Sequence, residues 1–463
     1  MATVARRPVG YLRVLRENRN FRRLWYGQIV SQLGDWLDSI ALFTLLLNLT
    51  GSGQAVGLLF LAEFLPGALI GPFAGVIVDR LPRRLVLIAS DFGRAALVLL
   101  LLLVNGQEDI WLIYLAVVGK MSLAAFFEPA RSAIIPSLCS RDELVSANAV
   151  SSATWSAMLA LGAAVGGLVA GILGVRAAFL LDAGSFLLSA ALIATVRVPG
   201  QERPTTDDRQ PASGTSTAVV SGPWSVVGPV LSELRDGLRF ILAHREIFWL
   251  TFSKGLWSLG GGVLLLLTLF GRDIFPLGRD GAISIGLLYA ARGVGTGIGP
   301  LVALRVGGDG PRFLRRAVVV AYFITGAGYI ALSGAPLLLA GALCVLFAHI
   351  GGSIQWTFST ALLQARAPNR LLGRIFAMEY AAFTLATALS AYIAGAARDA
   401  GLSPQLLAIA LGCVFLLSGA VMAAALWGGG PDRETLDRER RGSQDSAQHL
   451  NFVSEKHESE RSG

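Results

Sequence analysis

Two carboxylates three residues apart, Asp35 and Asp38, lie inside the apolar stretch "SQLGDWLDSIALFTLLLNL" at residues 31–49. At 100° per residue, Gln28, Ser31, Gln32, Asp35, Asp38 and Ser39 fall within one arc of 120°. Ile29, Val30, Leu33, Trp36, Leu37 and Ile40 fill the opposite arc. An acid at the centre of a helix in lipid costs roughly 2.5–3.5 kcal/mol, while each Leu, Ile, Phe or Val returns about 0.3–0.6 kcal/mol. Two acids therefore cancel about what the apolar residues of this segment return, and the polar arc requires a water-filled cavity or a polar partner. Asp35, directly after Gly34, suits a packed hydrogen-bonded network; Asp38 suits a cavity wall. Glu63 adds a third acid at similar depth in the next apolar segment. A carboxylate in a low-dielectric cavity is disfavoured in its charged form, so it can take up and release protons. The expected chemistry is proton carriage or cation binding by Asp35, Asp38 and Glu63.

The elements that hold these residues are membrane helices. The 463 residues are 54% hydrophobic and only 15% charged, with a mean hydropathy of +0.60, where soluble domains carry about 25% charged residues. Apolar runs long enough to cross a ~30 Å hydrocarbon core recur down the chain. Twelve spans are predicted at 22–49, 54–78, 84–104, 110–130, 147–173, 176–196, 247–271, 282–304, 315–334, 337–360, 373–397 and 402–427. The alternating ten-residue segments of a membrane β-barrel are missing from the pattern.

The net charge of +8 does not indicate nucleic acid, because the basic residues sit between the apolar runs. Arginines crowd the segment before the first span and every second loop, including Arg80, Arg83, Arg84, Arg131, Arg312, Arg315 and Arg370. The positive-inside rule then places both termini in the cytoplasm, for a multi-pass protein of a bacterial cytoplasmic membrane. The expected organisation is a cytoplasmic segment 1–21, a six-helix bundle 22–196, a disordered linker 197–232, an interfacial amphipathic helix 233–246, a second bundle 247–427 and a disordered tail 428–463. Cys139, Cys344 and Cys413 read as buried thiols, and no metal-ligand spacing occurs.

The second bundle echoes the first: "GPFAGVIVDRLPRR" from Gly71 and "GPLVALRVGGDGPR" from Gly299 align at an offset of 228. Duplicated six-helix halves are the architecture of alternating-access transporters, with the site between them. No phosphate-binding G-x-x-x-x-G-K-S/T loop is present, so a proton gradient, not ATP or any cofactor, is the expected energy source. "GVGTGIG" at 293–299 follows no strand and reads as helix packing. No nucleophile–base pattern argues for an enzyme.

The loop "GVIVDRLPRR" resembles the signature between the second and third helices of the major facilitator superfamily: Gly75, Asp79, Arg80, Arg83 and Arg84 match, and Pro82 replaces a glycine. In that family the acid meets the start of a helix in the other half and holds one gating state. "NFRRLWYGQIVSQLGDWL", "EPARSAIIPSLCSRDELVSANAVSS", "LDAGSFLLSA" and "RLLGRIFAM" are similar to the branch of macrolide-efflux proteins and enterobactin exporters. The resemblance implies an all-α membrane fold of two pseudo-symmetric six-helix bundles. It also implies export of an amphipathic small molecule, such as an antibiotic-like compound or siderophore, by a proton-coupled monomer. It places Lys120, Lys254, Arg292 and Glu379 in cavity-lining spans, with Gln355 and Trp356 adding polar and aromatic surface. Asp91, Arg94 and Asp182 read as packing pairs, and Glu128 with Arg131 as gate residues. The antiporter signature of the fifth span is partial: Gly162 and Gly166 match, with Gly167 beside them, but Ala163 replaces proline and Met158 replaces a glycine. Import or lysophospholipid flipping on the same scaffold, or a non-transporting membrane sensor, remain alternatives.

Overall fold

The computed structural model describes residues 11–197, 235 and 237–427. Apart from Arg197, the expected linker lies outside the described residues, as do the tail after 427 and residues 1–10 of the N-terminal segment. A short helix α1 (Tyr11–Glu17) leads into α2 (Arg19–Thr50), whose first turn is capped by Asn18 accepting from the Phe21 N–H. The first bundle continues with α3 (Gly53–Arg80), α4 (Arg83–Leu100), α5 (Ile110–Leu138), α6 (Arg141–Ile172) and α7 (Val175–Ala194). A short helix α8 covers 237–243, ends at His244, and occupies part of the expected interfacial segment. The second bundle comprises α9 (Arg245–Ser258), α10 (Val263–Leu269), α11 (Ala282–Gly307), α12 (Pro311–Ser333), α13 (Leu338–Arg366), α14 (Asn369–Asp399) and α15 (Pro404–Trp427). Among the described residues, twelve segments are long and apolar enough to cross a membrane, six in each bundle.

Two boundaries differ from expectation for local reasons. The fifth span starts at Arg141, not 147, because Ser140 and Glu143 form a capping box that begins the helix earlier. The seventh span is broken: α9 ends at Ser258 and helix resumes at Val263. Gly260, Gly261 and Gly262 occupy the break, where glycine gives up little helix stability. Broken backbone inside a membrane needs partners. Ser390 of α14 supplies them, accepting from the Gly262 N–H at 2.9 Å and donating to the Leu259 carbonyl at 2.6 Å.

The bundles meet along two helix pairs, α3 on α14 and α6 on α11. Close approach depends on glycine: a Cβ on Gly167 would stand 2.6 Å from the Ala282 carbonyl oxygen and 2.7 Å from the Gly286 Cα. At the arginine-poor end the two halves are also tied by hydrogen bonds. Asp399, at the end of α14, accepts from the Gly53 N–H (2.6 Å), the Gln54 N–H (3.0 Å) and the Ser52 hydroxyl (2.6 Å). A carboxylate from one half thus caps the positive N-terminus of α3 in the other.

Candidate functional site

Lys120 of α5 is buried and forms an ion pair with Asp38 of α2. Its Nζ also lies 3.5 Å from Asp35. The geometry reverses the expected division of labour between the two acids. Asp38 is fully buried against Lys120, whereas the Asp35 side chain is 36% exposed. Helix periodicity alone could not reveal this, because the deciding cation sits two spans away. The second Asp38 oxygen, Oδ1, and Gln32 Oε1 are buried without a hydrogen-bond partner. Asp182 of α7 stands close behind, since a Cβ on Gly34 would lie 2.3 Å from its Oδ1. Asp91 and Arg94 pair with each other, and the Arg94 guanidinium is held between the rings of Phe127 and Phe186 at 4.3 and 4.4 Å.

The second bundle carries a parallel arrangement. Lys254 of α9 pairs with Glu379 of α14 at 2.9 Å, donates to Thr360 at 2.8 Å and lies 4.3 Å from the Trp356 ring centroid. Gln355 donates to Ser253 at 3.2 Å. Trp356 packs edge-on against Phe383 at 5.0 Å, and Phe383 in turn meets Phe64 of the first bundle at 6.0 Å. Trp356 and Tyr380 stay exposed beside these contacts. Each half therefore holds a buried lysine neutralised by acid, which is the form in which a charge is tolerated at membrane depth.

Two further charges have no such partner within ion-pair distance, Glu63 of α3 and Arg292 of α11. Both are half-buried. Among the described residues no hydrogen bond or ion pair reaches either side chain's charged group, and Arg292 Nε is a buried donor left unsatisfied. Just beyond them, toward the arginine-poor end, aromatic rings close the centre. Tyr289 contacts Trp36 at 6.0 Å and Phe43 at 5.8 Å, and Phe43 contacts Phe60 at 5.1 Å. These rings did not stand out in the sequence, where they look like any buried aromatic residues.

The signature loop is only partly visible. Gly75 and Asp79 lie on the helical backbone of α3, and the Asp79 side chain lies outside the described set. Arg80 is exposed, Arg83 donates to the Ala133 carbonyl at 2.7 Å, and Arg84 donates to the Ala194 carbonyl. These contacts fix the α3–α4 loop to the ends of α5 and α7. The partial antiporter motif acts as a packing surface: a Cβ on Gly162 would meet the Trp36 ring at 2.8 Å, and one on Gly166 the Trp36 carbonyl at 2.6 Å. Glu128 and Arg131 pair at 2.8 Å, and Arg131 reaches Gln28 at 3.3 Å. The Asp399 contact was not anticipated, since nothing in "AARDAG" marks a partner in the other half.

Among the described residues, twelve membrane-crossing segments in two six-helix bundles joined along two helix pairs have the architecture of alternating-access transporters. The comparisons with known proteins make the class specific. Residues 24–391 match the model of the Major Facilitator Superfamily, and the chain belongs to that family. It is 25% identical over 255 residues to the uncharacterized MFS-type transporter YkuC of Bacillus subtilis, covering 55% of this chain and 57% of that protein. The chain thus aligns with little more than half the length of that relative. It is 27% identical over 181 residues to macrolide efflux protein A of Streptococcus pyogenes, covering 39% of this chain and 45% of that one. It is 27% identical over 403 residues to the multidrug efflux pump Tap of Mycolicibacterium fortuitum, covering 84% and 92%. In fold it is similar to a bacterial homologue of the iron transporter ferroportin in an inward-facing state, with a TM-score of 0.64 at 18% identity over 88% of this chain and 98% of that one. The resemblance to macrolide-efflux relatives seen in the sequence is thereby supported.

Proposed function

We propose that the protein is a secondary active transporter that exports an amphipathic small molecule across the cytoplasmic membrane by alternating access, coupled to proton entry. The observation that carries this reading is the Asp35–Asp38–Lys120 cluster: two acids share one buried lysine, so one proton can enter the site without leaving a bare charge. Asp35, the more exposed acid, is the entry point for the proton, and Asp38 the buried station. Relatives named as efflux pumps favour the outward direction of cargo. The positive-inside rule makes the arginine-rich end cytoplasmic, so the Asp399 contact closes the outer side. The apolar and aromatic surface of Phe64, Trp356, Tyr380 and Phe383 suits an antibiotic-like or siderophore-like cargo.

The test is transport in vesicles reconstituted with the purified protein, with an imposed pH gradient and ethidium, a macrolide and a catecholate siderophore as probes. Gradient-driven movement of at least one probe, lost in Asp35→Asn and Asp38→Asn, is expected. Gradient-independent binding without flux would favour a sensor and overturn the reading.

A further inference from the structure

The unpaired charges Glu63 and Arg292 occupy equivalent places in the two halves. The offset of 228 that superposes Gly71 on Gly299 carries Glu63 to within one residue of Arg292. Each lies ten residues from the start of its helix at the arginine-poor end, which is about 15 Å at 1.5 Å per residue. They therefore stand at one depth on α3 and α11. Their orientations also correspond. Within two turns of each charge the exposed large apolar residues are Leu58, Leu65 and Leu69 on α3 and Leu287, Val294 and Ile298 on α11, and at 100° per residue they fall 200–240° around the helix from Glu63 and Arg292. Over these turns both charges therefore point away from the exposed apolar face, whereas Phe73 and Ile77 on α3 and Val302 and Val306 on α11, exposed nearer the arginine-rich end, lie on the charges' own side.

Their inner neighbours match as well. One turn before Glu63 is Phe60, and one turn before Arg292 is Tyr289, whose ring lies 5.7 Å from the guanidinium. Phe60 and Tyr289 are linked through Phe43. The result is an aromatic roof with an acid beneath one side and a guanidinium beneath the other. The other inner cations, Lys120 and Lys254, already hold acids, so they have little charge to offer a ligand. Two half-buried opposite charges that do not pair with each other are each costly at this depth, and a ligand carrying both signs would satisfy both.

We propose that Glu63 and Arg292 are the two poles of the substrate site, which takes an amphiphile carrying both a cationic group, held by Glu63, and a carboxylate or phosphate, held by Arg292. The guanidinium can grip such an anion with two parallel hydrogen bonds. The apolar part of the molecule lies against the exposed rings of Trp356 and Tyr380, the Tyr380 hydroxyl standing 3.5 Å from where a Cβ on Gly67, one turn after Glu63, would be. This rests on the reading of the protein as a transporter of amphipathic molecules.

The test is equilibrium binding of three octyl probes to the full chain in lipid nanodiscs: octylphosphocholine, octyltrimethylammonium and octyl phosphate. The zwitterion is expected to bind at least tenfold more tightly than either singly charged probe. Glu63→Gln should abolish its advantage over the anion, and Arg292→Gln its advantage over the cation. The charge-exchanged Glu63→Arg/Arg292→Glu protein should recover zwitterion preference with the ligand reversed. Equal binding of zwitterion and cation in the unaltered protein, unaffected by Arg292→Gln, would overturn the two-pole site while leaving an amphiphile transporter intact. Binding of none of the probes would count against both readings. If each single variant lowers the melting temperature and the exchange restores it without ligand, the two charges serve each other and the proposal fails.

Discussion

Lys120 and Asp38 meet inside the first bundle as a buried ion pair between α5 and α2, with Asp35 3.5 Å away on the solvent-reachable side. A lone lysine or a lone acid at this depth would be far more costly than the pair. Removing one partner leaves the other charge uncompensated and costs about 3–5 kcal/mol, whereas replacing both by apolar or neutral groups is close to neutral. Lys120→Met alone should therefore markedly lower the melting temperature in nanodiscs. Lys120→Met/Asp38→Asn should restore most of it yet fail to couple transport to protons. Equal losses for single and double variants would show that the pair is not the unit.

Asp399 reaches across the bundle interface to three donors at the start of α3. Asp399→Ala removes those bonds and a charge that favours the helix N-terminus. The ends of α3 and α14 near Gly53 and Gly395 should then separate more often. Spin labels placed beside them should report a broader, longer distance distribution, with Asp399→Asn intermediate. An unchanged distribution would mean that glycine packing alone holds this end.

Gly167 and Gly286 press α6 against α11 with backbone on backbone. Gly286→Val adds bulk that would stand 2.6 Å from the Ala163 carbonyl oxygen, where no flexible side chain can move aside. The expected result is a folded protein, by tryptophan fluorescence and gel filtration, that has lost most of its transport. Full activity in this variant would contradict close contact between these helices as part of the cycle.

Cys139 follows the end of α5, outside the membrane span, and is buried beside Glu143. Burial first and the Glu143 charge second push its thiol up to about 12. The thiolate is the reactive form, so alkylation of native protein at pH 8 should be much slower at Cys139 than for a free thiol. An unfolded thiol ionises near pH 8.5 and the native one does so only at much higher pH. The native state thus binds more protons in that window, and this group's contribution to stability falls as pH rises above about 8.5. Mass spectrometry of maleimide-labelled peptides with and without denaturant checks the first point; fast native labelling would contradict it.

Much of this arrangement was legible in the sequence because membrane helices announce themselves by length and hydropathy. The duplicated "GPFAG" and "GPLVA" segments gave the two halves, and the polar arc of α2 gave the two acids. What could not be read was which cation each acid meets. Asp38 and Lys120 are 82 residues apart, and helix period fixes a face but not the neighbour across it. The break at Gly260–Gly262 was missed since apolarity continues through it, and only Ser390 on α14 makes the loss of helix tolerable. Asp399 was missed for the same reason, its partners being backbone donors in the other half.

The central claim, that a proton bound at Asp35 and Asp38 powers export, is tested most directly by probe and proton flux measured together in reconstituted vesicles. The account predicts that probe moves against its own gradient only when a pH gradient is imposed, that protons move in the opposite direction, and that Asp35→Asn/Asp38→Asn abolishes both. Probe accumulation that continues unchanged in the doubly neutralised protein, or that ignores the pH gradient, would contradict it.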